Sequence, residues 1–226
     1  MFTMSDLLPI FPLPNVVLFP NVFLPLHIFE PRYRDMVADA IASDRMLGMV
    51  LLKPGWEHEY EGRPPVYPIG CSAVITHVER LADGRYNIVL RGVERFRILA
   101  EDHDRSYRRA SIEPAAEGAL GAEDRAILHR QRSKLEALLA PVIERQIEPS
   151  GVVASAPRST AEALIPSGMP DEDLVNALAQ YLDLEPVEKQ ALLERHGLRS
   201  RAESLVELLE MKVLIARTPG LSQVAH

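Results

Sequence analysis

The sequence predicts an α+β protein in two parts: a small, closed or nearly closed β-barrel with one helix over residues 1–117, then an all-α helical bundle over 118–226. Three observations predict this. Near residue 115 the composition passes from short runs rich in Val, Ile, Phe, Tyr, Gly and Pro to long stretches of Ala, Leu, Glu and Arg. The segment IGCSAVITHVERLADGRYNIVLRGVERFRILAE carries the strongest strand and hairpin signal. Beyond it, apolar residues recur at helical spacing.

The elements follow in order. In FPLPNVVLFPNVFLPLHIFEPRY, Phe11–Tyr33, the pieces VVLFP and VFLPL read as short strands cut by Pro20 and Pro25. Proline cannot donate to a ladder, so it belongs at strand ends, edges or bulges. EPRYRDMVADAIASD reads as a helix with Pro31 at its first position and Tyr33, Met36, Val37, Ala40 and Ile41 on one face. MLGMVLLK reads as a buried strand. Asp83-Gly84 favours a tight hairpin, because Gly accepts positive φ. Tyr86, Ile88 and Leu90 alternate with Asn87, Val89 and Arg91, and Gly92 marks a bulge before ERFRIL. In the second part, AEDRAILHRQRSKLEALLAPVIERQI gives a long helix striped by Ile127, Leu128, Leu135, Leu138, Leu139, Val142 and Ile143, kinked at Pro141. Pro149–Thr160 reads as a loop. MPDEDLVNALAQYLD and EPVEKQALLERHG give two more helices, the latter stopped at Gly197. SRAESLVELLEMKVLIAR opens with Ser200 and Glu203 at capping-box spacing.

Bulk properties narrow the function classes. The 226 residues are 47% hydrophobic and 25% charged, ordinary for a globular chain with a real core. No apolar run reaches the ~18–20 residues of a membrane span, and MFTMSDLLPIF lacks a basic, cleavable leader, so a cytoplasmic location is expected. Net charge is -7, with 13 Lys+Arg against 15 Asp+Glu up to residue 115 and 12 against 17 after it. Neither part has bulk attraction for nucleic acid or anionic lipid.

Reactive constellations are sparse. Cys71 is the one cysteine, and His77, six positions on, shares its strand face but lies ~20 Å away by strand rise, so a structural thiol is expected rather than a nucleophile. No two histidines share a helix at i, i+4 spacing, and Glu57–Glu61 reads as a solvated acidic loop; no metal and no cofactor is expected. No G-x-x-x-x-G-K-[ST] phosphate cradle occurs.

Taken together, P-L-P-N-V-V-L-F-P at Pro12–Pro20, Gly70 before a strand, the Asp83-Gly84 hairpin, R-G-V-E-R-F-R-I at Arg91–Ile98 and K-Q-x-L-L-E at Lys189–Glu194 resemble the N-terminal substrate-binding domain of the Lon ATP-dependent proteases. The resemblance runs from about Ile10 to about Ala216, and LPLHIFEPRY looks like the small stand-alone Lon-domain proteins. It implies a PUA-like barrel followed by a helical bundle. It also implies a non-enzymatic module that binds unfolded or extended polypeptide, as adaptor or regulator of a separate protease, since the ATPase and Ser-Lys protease modules have no counterpart here.

The residues support such a site independently. More apolar side chains crowd residues 22–29 than one strand side can bury, and proline-cut strands leave edges open to an added strand. The expected peptide-binding residues are Phe23, Leu24 and Phe29, with Arg32 and Tyr33 at the rim and Trp56 and Tyr60 from the loop KPGWEHEYEGRPP. A homodimer through the apolar patch is a further expectation. Two alternatives stand beside this reading. PUA-type barrels bind RNA elsewhere, and Arg91, Arg95 and Arg97 share a strand face by parity, with Arg105, Arg108 and Arg109 nearby. Acidic residues lie among them and no aromatic RNA-binding signature accompanies them, so internal pairing is expected instead. A small-ligand-sensing domain, with a cleft between barrel and bundle, is the other alternative.

Overall fold

A computed structural model describes residues 7–58, 62–102, 104–146 and 168–217, with side chains described to 139 in the third stretch and to 215 in the last. Tyr60 and the expected loop Pro149–Thr160 lie outside the described residues. The architecture is α+β: a mixed six-stranded sheet and five α-helices among the described residues. Strands are β1 Leu8–Leu13, β2 Phe23–Ile28, β3 Met46–Leu51, β4 Ile69–Arg80, β5 Tyr86–Asp102 and β6 Arg109–Pro114. Helices are α1 Pro31–Ala42, α2 Ala122–Gln146, α3 Asp171–Tyr181, α4 Pro186–Leu193 and α5 Gly197–Arg217.

The chain divides into two compact units. One comprises residues 1–117 with 176–194; the other comprises 118–175 with 195–226. In the first, the sheet order is β2-β5-β4-β3-β1-β6, and β5 pairs with β6 as well. Only the β1–β3 pair is parallel. The long β5 therefore takes part in three ladders, with β2, β4 and β6. Inside lie Ile10, Leu47, Ile75, Leu90 and Phe96, each at most 1% exposed and each stabilising by about 1.5–3 kcal/mol through burial. From α1, Met36, Val37 and Ala40 are buried, and the Tyr33 ring meets Phe11 at 4.4 Å between centroids.

Several expectations are corrected. VVLFP is not a strand: Val17, Leu18, Phe19 and Pro20 are buried in an irregular segment, and Phe19 N–H donates to Gln180 Oε1 at 3.3 Å. That segment crosses Gly92 so closely that a Cβ there would stand 2.1 Å from the Phe19 carbonyl oxygen, which explains the glycine. The ladder slips by one residue beside it, between Cys71 and Ala73 on β4, so the bulge adjoins Gly92. A second slip, between Ile75 and His77, breaks the shared face of Cys71 and His77: the thiol is fully buried and the imidazole exposed. The strand β1, with Pro9 and Pro12, and β6 were not foreseen. Gly197 begins α5 rather than merely ending α4, and Glu203 accepts from Arg199 instead of capping through Ser200.

In the second unit, α2 and α5 contact each other; Ile127, Leu128, Leu135 and Leu139 are buried on α2 and Leu198, Ala202, Leu205 and Val206 on α5. Arg132 ties α2 to the start of α3, donating to the Met169 carbonyl at 2.6 Å and to Asp171 at 3.0 Å. No described helix is long and apolar enough to cross a membrane.

Candidate functional site

The sequence F-L-P-L-H-I of β2 alternates strictly, and the structure splits it by parity. Leu24, Leu26 and Ile28 face inward, opposite Leu90, Ile88 and Tyr86 of β5. Phe23, Pro25 and His27 face outward, opposite Arg91, Val89 and Asn87, and Phe29 continues the row. Phe23 is 50% and Phe29 61% exposed. The row is ~20 Å long by strand rise. Large exposed aromatics in line are the kind of surface that marks an interaction site.

Among the described residues β2 is also an edge strand, paired on one side alone. Val22 C=O accepts from Gly92 N–H at 2.9 Å, so by antiparallel alternation the backbone groups of Phe23, Pro25 and His27 point to the open edge. Pro25 has no N–H to leave unpaired there, which is why a proline is tolerated. The Tyr181 hydroxyl covers the Phe23 carbonyl at 3.0 Å, while its own ring is 69% exposed. What remains is the Phe23 N–H, the Pro25 carbonyl and both His27 backbone groups, beside an aromatic row.

The polar end of the row is held rigidly. Asn87 Nδ2 donates to Glu79 at 2.7 Å, so its oxygen receives the His27 Nδ1–H at 2.7 Å, and His27 Nε2 then accepts from Arg85 at 3.2 Å. The His27 and Phe29 rings are roughly parallel, 6.3 Å apart.

The other expected residues are not in this row. Leu24 faces the opposite side. Tyr33, expected at the exposed start of α1, is 4% exposed, with its hydroxyl 3.5 Å from the Pro12 carbonyl. Arg32 stacks over Tyr33 at 4.7 Å and pairs with Glu30 at 2.9 Å. Both line a separate cavity of about 240 Å³ with Arg63 and Arg108. Trp56 is half-buried in a short 3-10 helix, Trp56–His58. Sequence reasoning missed Pro25, His27 and Tyr181. Period-2 alternation through residue 29 was available to find the first two; nothing local could pair Tyr181 with a strand 158 residues away.

The remaining motifs are absorbed by structure. Arg95 is 5% exposed, donates to the Leu193 carbonyl at 2.9 Å and lies 3.2 Å from Glu117; the bulge breaks its parity with exposed Arg91, while from exposed Arg97, in the same register, it differs by these covering partners. Arg105 pairs with Asp39, Arg108 with Glu101 and Arg109 with Asp102. The K-Q-x-L-L-E residues seat α4 on the sheet. Gln190 donates to the Ile69 carbonyl at 3.0 Å, Leu193 is the acceptor for Arg95, and Lys189 donates to the Gln180 carbonyl at 2.6 Å. Burial lowers the Lys189 pKa, with Asp183 opposing. No group of three or more His, Cys, Asp or Glu is placed to hold a metal among the described residues.

Comparison with known proteins matches residues 7–211 to a family model described as the ATP-dependent protease La (LON) substrate-binding domain. Lon protease of Anaeromyxobacter dehalogenans is 28% identical over 205 residues, covering 91% of this chain and 23% of that protein. Lon protease 2 of Myxococcus xanthus is 29% identical over 207 residues, covering 92% and 24%. The chain thus spans about a quarter of the length of these curated relatives. Among solved structures, the N-terminal domain of Mycobacterium avium complex Lon protease aligns with a TM-score of 0.63 at 20% identity, covering 91% of this chain and 98% of that one. The Lon N-terminal domain protein from Xanthomonas campestris aligns with a TM-score of 0.53 at 24% identity, covering 95% and 99%. At those identities the likeness concerns the fold.

Proposed function

The chain belongs to the family of ATP-dependent protease La (Lon) substrate-binding domains, and from that membership we propose that it is a non-enzymatic cytoplasmic module that captures unfolded or extended polypeptide on the outer face and open edge of β2. The sheet, whose ladders return on themselves through β5, serves in this reading as a PUA-like barrel, and the second unit as a helical bundle. Phe23 and Phe29 supply apolar contact without a stringent side-chain code, and the backbone of Pro25 and His27 supplies strand-like hydrogen bonds. Such a module acts as an adaptor or regulator for a separate protease.

One observation carries the proposal: two aromatics at 50% and 61% exposure in line on an edge strand. The test is fluorescence anisotropy of a labelled, permanently unfolded polypeptide, with its folded parent and a single-stranded RNA beside it at two salt concentrations. The expected result is saturable, weakly salt-dependent binding of the unfolded chain alone. The double variant Phe23→Ala, Phe29→Ala should weaken it by roughly tenfold or more, as losing two interface aromatics does. No saturable binding of the unfolded chain, or binding indifferent to the double variant, would overturn the assignment.

A further inference from the structure

The cavity beside α1 is not used by the proposed peptide surface, and its lining is unusual for its size. Three arginines face it, Arg32, Arg63 and Arg108, together with Tyr33, Ser106 and Tyr107. No carboxylate lines it among the described residues, because Glu30 and Glu101, which pair with Arg32 and Arg108, do not reach its surface. We propose that this cavity is a binding site for a small oxyanion, of the phosphate or carboxylate class.

The donors are prepared. Arg108 is 8% exposed and fixed at three points: Nε and Nη2 donate to Glu101 at 2.7 and 2.6 Å, and Nη1 donates to the Pro64 carbonyl at 2.7 Å. A guanidinium has five N–H groups, so one on each terminal nitrogen is left for a ligand. Holding a planar fork in a fixed pose removes most of the entropic cost of ordering it around an anion. Arg63, which also lines the cavity, donates to the Asp102 carbonyl at 3.3 Å and is exposed. Arg32 lies over the Tyr33 ring at 4.7 Å and pairs with Glu30, which holds its position as well. A volume of about 240 Å³ admits a phosphate or a terminal carboxylate with a few neighbouring atoms, not a drug-sized ligand.

Two sources of such an anion exist, a free or substituent phosphate and the C-terminal carboxylate of a polypeptide, and one experiment separates them. Isothermal titration of the full chain at low ionic strength uses inorganic phosphate in one arm. The other arm uses an acetylated tripeptide with a free C-terminus, its C-terminal amide as control. Saturable one-to-one binding in either arm, weakened by added NaCl, supports the site, and the responding arm identifies the source. Arg63→Gln, a surface change that leaves the Arg108–Glu101 pair intact, should weaken that binding about tenfold or more, the effect of losing one charge-assisted hydrogen bond. Arg32→Gln should do the same. If neither probe gives saturable heat, if the amide binds as well as the free acid in the sole responding arm, or if both variants bind like the parent, the arginines are structural and the proposal fails.

Discussion

The Tyr107 hydroxyl donates to Asp39 at 2.7 Å, and its pKa is pushed up to about 12, first by burial and then by that carboxylate. A phenol near 10 in the unfolded chain thus holds its proton more tightly when folded. Its contribution to stability is fully present below pH ~10 and is lost as pH rises through about 12. Urea unfolding at pH 9 and pH 11.5 should show the parent losing more stability than Tyr107→Phe. At pH 7 the same variant should cost about 1 kcal/mol for the missing hydrogen bond. Equal losses for parent and variant would show that the phenol titrates normally. At this scale sequence reasoning identified residue types better than their surroundings. It marked Phe23 and Phe29 from hydrophobic excess and put Tyr33 on the apolar face of α1, yet also expected Tyr33 at an exposed rim, because helix position does not reveal that Phe11 and Pro12 lie against it.

A strand's character is set by what lies on its two sides and two faces. β2 was legible as a short apolar strand, although Pro25, read as cutting it, lies inside it with its backbone toward the open edge. β1 was not, although it is as apolar. It pairs with β6 through Leu8 and Pro9 and with β3 through Ile10–Leu13, so it changes partners midway and tolerates prolines that argue against a strand. The segment Val16–Pro20 shows the converse, β-prone residues buried without a ladder because Gln180 supplies a partner from far along the chain. The Gly92 bulge joins these elements. Gly92→Ala would drive a methyl into the Phe19 carbonyl, backbone against backbone, with no flexible side chain to yield. A loss of roughly 3 kcal/mol is expected, read as a lower urea midpoint at unchanged slope. A midpoint within a few tenths of the parent's would mean that Val16–Pro20 does not cross there.

The composition of the whole chain places one boundary near residue 117, and the contacts then group residues 176–194 with the first part. Helical periodicity reports that α3 and α4 exist, not which surface receives them; side chains such as Gln190 and Arg95 decide that. A fragment of residues 1–117 should therefore bind a hydrophobic dye and melt without cooperativity, while residues 1–194 should melt cooperatively. A cooperative melt of the shorter fragment would show the sheet complete without the later helices. The bonds from Phe19 to Gln180 and from Ile69 to Gln190 span 161 and 121 residues. On the ribosome, that separation becomes time. Residues 118–194 must be made after Glu117 before the first unit can close. At about 5–20 residues per second this takes roughly 4–15 s. For that interval the nascent chain presents an unfinished sheet, so a domain whose relatives are proteases is itself, at birth, a candidate client for chaperones.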